Sequence, residues 1–151
     1  MKLIKKAIMC EPDFFDVIYS INPWMGSATV DRDLARLEWE SLRTTLQSLN
    51  IEVDTVEPVK TFPDMVFAAD QAVVKDHEAL ISNFRCRERV DESRYYKDWF
   101  SGHGYMVKKL PEGVFFEGGG ESMWLGDMLL IGAGFRTSMG ACKYVSEILS
   151  P

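Results

Sequence analysis

One pattern recurs along this chain about every 50 residues, and it constrains the fold more than any other feature. Pro58 and Pro111 stand 53 residues apart, and so do Asp64 and Glu117. Leu80-Ile81 is answered by Leu130-Ile131, and Phe84-Arg85 by Phe135-Arg136. Each round reads strand, strand, helix, strand. In the first, residues 5–11 form a strand that stops at Pro12. Residues 14–21 follow, with Phe15, Val17, Tyr19 and Ile21 alternating as a strand would. Residues 31–49 are helical and 51–56 alternate again. In the second, strands at 65–74 and 79–84 flank a turn at 75–78, before a helix at 91–100 and a strand at 105–110. In the third, 123–125 and 128–133 form a hairpin around Gly126-Asp127, followed by a helix at 138–149. The chain stops at Pro151, where earlier rounds place their closing strand. About two and a half such modules predict an α/β fold.

The helices carry their own signals. Leu34, Leu37, Leu42, Leu46 and Leu49 make a broad apolar stripe on the first. Asp31 and Asp33 suit its N-terminal dipole, and Asn50 is a left-handed stop. On the second, Tyr95, Tyr96, Trp99 and Phe100 are expected to pack in the core, with Asp91 and Glu92 at its start. On the third, Ala141, Val145, Ile148 and Leu149 share a face. The loop at 22–26 carries Trp24 and Met25, which either pack down as a plug or cover a ligand; packing is the first expectation.

Chemistry concentrates in two stretches. Phe62-Pro63-Asp64-Met65-Val66-Phe67-Ala68-Ala69-Asp70 places two acids in an apolar run that Pro63 enters through a turn. In a regular strand these acids would lie about 20 Å apart. They can share a small ligand only if the chain bends at Ala68-Ala69; otherwise Asp64 is a cap and Asp70 an exposed strand end. Phe115-Phe116-Glu117-Gly118-Gly119-Gly120-Glu121 sets three glycines between two acids. Glycine permits close backbone approach, and the stretch lacks the Lys-Ser/Thr ending of a phosphate loop. Glu117 occupies the repeat position of Asp64. Carboxylates that converge about a repeat axis suit a guanidinium or amidinium, which is planar and presents several N–H donors.

Composition narrows the field. The 151 residues fit one domain, residues 1–151. A net charge of −6 with no basic stripe argues against nucleic-acid binding. No apolar run reaches membrane-spanning length, and the charged start at Met1-Lys2 lacks a signal peptide's apolar segment. Cys10, Cys86 and Cys142, odd in number and widely spaced, imply reduced thiols in a cytoplasmic protein. With only His77 and His103, both in expected surface turns, no metal site and no cofactor is expected.

Taken with Phe135-Arg136-Thr137-Ser138, the two acidic stretches resemble motifs of the guanidino-modifying enzymes: the dimethylarginine dimethylaminohydrolases, arginine deiminases and amidinotransferases. The resemblance covers nearly the whole chain. It implies a partial pentein α/β propeller, whose complete form sets five strand-strand-helix-strand modules around a pseudo-fivefold axis. It also implies an arginine-like small molecule as ligand. Asp64 and Asp70 match acids that bind the substrate guanidinium, and Phe67 an aromatic of the same pocket. Glu117 matches the acid that pairs with the catalytic histidine. Arg89 and Arg136 look like the arginines that bind the substrate carboxylate, with a surface ion pair as the alternative for Arg89. Asn22-Pro23-Trp24-Met25 resembles the mobile loop over the site. Ala69 departs from dimethylarginine-specific members, which carry a second acid there.

The family's catalytic histidine and nucleophilic cysteine would fall beyond residue 151. Its chemistry needs a thiolate and a proton-moving imidazole. Cys142 is expected in the core, His77 and His103 at the surface, and Cys10 is the one thiol placed to substitute. The resemblance thus implies a domain that binds a guanidino compound and is inactive alone, as a homodimer or with a second chain completing the propeller. The alternative is an oligomeric scaffold that keeps the fold without a ligand.

Overall fold

The computed structural model describes residues 4–26 and 29–149. The charged start at Met1-Lys2 and the closing Pro151 lie outside them. The chain divides between Ala68 and Ala69 into two compact units, a finer division than the one domain expected from length.

In the first unit, β1 (Lys6–Cys10) and β2 (Glu52–Val56) pair in parallel, from Lys6 opposite Glu52 to Cys10 opposite Val56. A parallel pair needs a crossover, and α1 (Arg32–Ser48) supplies it. The Asp31 carboxylate caps α1 by accepting from the Leu34 N–H at 3.0 Å, and Asn50, at φ +59°, ends it. Met9, Cys10, Trp39, Val56 and Met65 are buried.

Three expectations fail in this unit. The leucine stripe of α1 is not its buried side: Leu34, Leu37, Leu42 and Leu49 are exposed, and burial falls on Trp39. Arg36 holds that turn of the helix down, donating to Glu11 at 3.0 Å and pairing with Asp13. A broad stripe does not say which of its edges is covered. Residues 14–21 form no strand. Their backbone is satisfied locally: the Phe15 N–H donates to Pro12 C=O, and Asp16 accepts from the Val17 N–H and from Arg32. Trp24 is 85% exposed and plugs nothing, while Met25 is half-buried.

The strand expected over 65–74 is mostly helical turn. Pro63–Val66 and Ala68–Gln71 are two 3-10 turns, and only Ala72–Lys75 extends, as β3. Pro63 fixes φ for the first turn, which the Phe67 N–H closes onto Asp64 C=O at 3.0 Å. Strand propensity at Val66 and Phe67 yields to this local bonding.

The second unit builds two rounds of the repeat. β3 pairs antiparallel with β4 (Glu78–Ile81), α2 (Glu92–Gly102) crosses over, and β5 (Met106–Lys108) joins β4 in parallel, giving the order β3-β4-β5. After a 3-10 turn at Gly118–Gly120, β6 (Ser122–Leu125) and β7 (Met128–Ile131) form the expected hairpin, and α3 (Ala141–Leu149) follows. Val73 opposite Leu80 in one hairpin matches Met123 opposite Leu130 in the other. Both turns use a left-handed residue at the same repeat position, Asp76 at φ +52° and Gly126 at +63°. α3 begins at Ala141 because Ser138 is engaged outside it, its Oγ accepting from the Phe115 N–H at 3.0 Å. The core gathers Val73, Leu80, Phe116, Ala141, Val145 and Leu149. On α2, Tyr96 and Phe100 are buried, while Tyr95 and Trp99 are half-buried instead of core. Among the described residues no helix is long and apolar enough to cross a membrane.

Candidate functional site

Backbone ties between the two rounds build the site in the second unit. Asn83 and Phe116 exchange N–H···O=C bonds of 3.0 and 3.1 Å, and Asn83 Nδ2 donates to Val114 C=O. The Ser82 N–H donates to Gln71 C=O at 2.9 Å, and 50 residues on the Gly132 N–H donates to Glu121 C=O at 2.8 Å. The glycines at 118–120 then lie against residues 69–72. Gly118 has φ +46°, and a Cβ there would fall 2.7 Å from Ala72 backbone atoms. A Cβ on Gly120 would run into the Asp70 carboxylate. Small size at these positions is what lets two acidic segments approach.

A compact charge cluster results. Arg89, 3% exposed, donates to Asp70 Oδ2 from Nη1 at 2.7 Å and to Glu92 Oε2 from Nη2 at 2.9 Å. Arg136, less buried, donates to Glu121 Oε1 from Nε at 2.7 Å and to Glu117 Oε2 from Nη1 at 3.0 Å; its Nη1 also lies 3.6 Å from Asp70 Oδ2. Four carboxylates thus face two guanidiniums. Asp70 and Glu117 meet the arginines through Oδ2 and Oε2, and Asp70 Oδ1 lies against Gly120.

Burial pushes the Glu117 carboxyl up to about 7, against the pull of Arg136 and Arg89. It titrates where a proton-transfer group would be useful. Burial alone would lower both arginines, but Glu92 and Asp70 raise Arg89, and Glu117, Asp70 and Glu121 raise Arg136.

The structure therefore brings together Asp70, Arg89, Glu117 and Arg136. Arg89 sits in a buried ion pair, not the surface pair that was its alternative. Asp64 and Phe67 belong to the first unit, where Asp64 is buried in its 3-10 turn and Phe67 stands edge-on to Phe15 at 5.7 Å. Sequence reasoning missed Gln71, Glu92 and Glu121 as members of the cluster. Gln71 and Glu121 occupy one repeat position, a signal that was present; Glu92 resembled an ordinary helix-start acid.

The thiols also need correction. Cys142, expected in the core, is exposed on α3 because it follows the buried Ala141 by one residue. Cys10, expected as the reactive substitute, is buried beside the Glu11 carbonyl. Cys86 is the thiol within electrostatic reach of the cluster, and burial, Glu117 and Glu88 push it up against Arg89 and Arg136, keeping it protonated. His77 and His103 are exposed, the latter stacked on Trp99 at 3.8 Å. Among the described residues no group of three or more His, Cys, Asp or Glu could hold a metal ion. A cavity of about 380 Å³ in this unit is lined by Lys75, Trp124, Cys142 and Val145 among others, and by none of the cluster residues.

No family model matches the chain. It is 39% identical over 148 residues to the bifunctional arginine dihydrolase/ornithine cyclodeaminase AgrE of Nostoc, covering 95% of this chain and 21% of that one. It is 37% identical over 146 residues to the dimethylarginine dimethylaminohydrolase of Mycobacterium tuberculosis, covering 96% of this chain and 48% of that one. The chain thus spans about half or less of these curated relatives. Among solved structures, the N-terminal domain of ArgZ bound to substrate, a cyanobacterial arginine dihydrolase, superposes with a TM-score of 0.91 at 36% identity, over 95% of this chain and 54% of that one. A dimethylarginine dimethylaminohydrolase adduct shares the fold, with a TM-score of 0.82 at 21% identity. These homologues are dimethylarginine dimethylaminohydrolases and arginine dihydrolases of the guanidino-modifying, or pentein, superfamily, and the chain matches only the N-terminal part of the larger proteins.

Proposed function

We propose that this chain binds an arginine-like guanidino compound through Asp70 and Glu117. The carrying observation is the surplus of carboxylates in the cluster, where Asp70, Glu92, Glu117 and Glu121 face two arginines. A planar guanidinium can donate to two carboxylates at once. By their match to family positions Asp64 and Phe67 are ligand-binding candidates of the first unit, and in the second Arg136 takes an anionic end of the ligand. Relatives support this: AgrE has been crystallised with L-arginine and ArgZ with its substrate. The modules represent a partial propeller.

The chain alone binds without turnover. Among the described residues both histidines are exposed while Glu117 is buried, and burial and Glu117 push the Cys86 thiol up. The three free thiols fit a reducing, cytoplasmic setting. A homodimer, or a second chain, covers the apolar side chains left exposed on β6 and β7.

Calorimetric titration with L-arginine, agmatine and dimethylarginine tests the reading. Each charge-assisted hydrogen bond contributes about 1.5–3 kcal/mol before ordering costs. Asp70→Asn with Glu117→Gln should abolish the heat. No heat from wild type at millimolar ligand, with ligand-free light scattering showing an oligomer, would select the scaffold reading instead. Citrulline-type product appearing with the chain alone would refute the claim of binding without turnover.

A further inference from the structure

Glu92 is fully buried in the first turn of α2. A carboxylate kept from water needs partners, and two of them reach one of its oxygens. Gln71 Nε2 donates to its Oε2 at 2.6 Å, and Arg89 Nε and Nη2 reach the same oxygen at 3.1 and 2.9 Å. The Arg89 guanidinium also lies over the Phe84 ring, 4.4 Å from its centroid. Two edges and a face of the fork are fixed, and Nη1 is aimed at Asp70 Oδ2. The choice of amide at 71 is informative. Its repeat partner is Glu121, which accepts from Arg136. An acid at 71 would set like charge against Glu92, whereas an amide donates to it.

We propose that Glu92 and Gln71 are positioning residues: they clamp Arg89 so that it holds the Asp70 carboxylate in place for a guanidinium. This rests on Asp70 being a guanidinium acceptor. Arg89 then serves the site from behind Asp70, a different task from meeting a ligand carboxylate.

The test uses the whole chain and two readouts. L-Arginine is titrated by calorimetry into wild type, Glu92→Gln, Asp70→Asn and the double variant. Glu92→Gln should weaken binding about tenfold, and by less than about twofold when Asp70 is already Asn, since residues acting through one another are not additive. Without ligand, the Arg89 Nε–H resonance should be protected from exchange in wild type, exchange freely in Glu92→Gln, and shift in Asp70→Asn. Should Glu92→Gln fail to fold, Gln71→Leu should give the same pattern with smaller losses. Equal losses in both Asp70 backgrounds, or an Arg89 resonance that ignores both changes, would overturn the clamp. If wild type binds no L-arginine, the guanidino reading fails, while the Arg89 resonance and its response to Asp70→Asn still decide whether the clamp exists.

Discussion

The hairpins β3–β4 and β6–β7 share one register and differ in what covers them. Every pair of the first is repeated 50 residues later in the second. Yet Val73, Ala79, Leu80 and Ile81 are buried, while Met123, Leu125, Met128 and Leu130 are exposed. α3 packs its Ala141–Val145–Leu149 side on Val73 and Leu80. No element in the described residues does this for Met123 and Leu130. The ion pairs follow suit, Arg89 being enclosed and Arg136 partly open. Local geometry is thus written into each round, whereas burial depends on what the next round supplies.

The largest expected contrast lies between the arginines. Arg89→Ala leaves Glu92 buried without its cation and should cost about 3–5 kcal/mol. Arg136→Ala should cost less, because its guanidinium is partly exposed even though its partner Glu117 is buried. Equal effects in urea denaturation would erase the distinction between enclosed and open rounds. Next come Leu80 and Leu130, equivalent by repeat. Leu80→Ala should destabilise by about 2–5 kcal/mol, and Leu130→Ala by less than about 1 kcal/mol. A larger loss at Leu130 would mean that its face is covered in solution.

Glu117 sharpens the comparison through pH. Its folded carboxyl is raised to about 7, above the ordinary Glu value. The stability it contributes is full below that ordinary value and is lost as pH rises through about 7. Glu117→Gln should therefore flatten the fall in thermal midpoint across this window. The sign for guanidinium binding is opposite, because the ionised carboxylate is the better acceptor, so affinity should rise as pH passes 7. A wild-type midpoint that climbs through the window would contradict the burial of Glu117.

The smallest effects test the turns. Asp76→Gly should stabilise by a few tenths to about 1 kcal/mol, and Gly126→Asp should destabilise by about as much, since both sites need positive φ. Opposite signs would show that the two turns are not equivalent.

Much of this was legible in the sequence. The hairpins and the three helices followed from alternation and caps. Failures arose where a local pattern needed a partner to decide it. The alternation at 14–21 had no neighbouring strand, so Asp16 and Pro12 satisfied its backbone instead. The leucines of α1 were apolar on a face that nothing in the described first unit covers. In the site, acids near glycines were visible, but the enclosed Glu92 was not, because burial is a property of packing and not of helix position.

The open face of the third round has a chemical consequence. Met123, Met128 and Met139 are exposed, as is Met106, whereas Met9 and Met65 are buried. Thioether oxygen uptake follows access. Limited peroxide treatment should therefore convert Met123 and Met128 to sulfoxide well before Met9 and Met65, turning an apolar strand face polar. The hairpin carries its own redox footprint. A chain that lies across it would protect Met123 and Met128 while leaving Met106 reactive, and peptide mass spectrometry would read the difference.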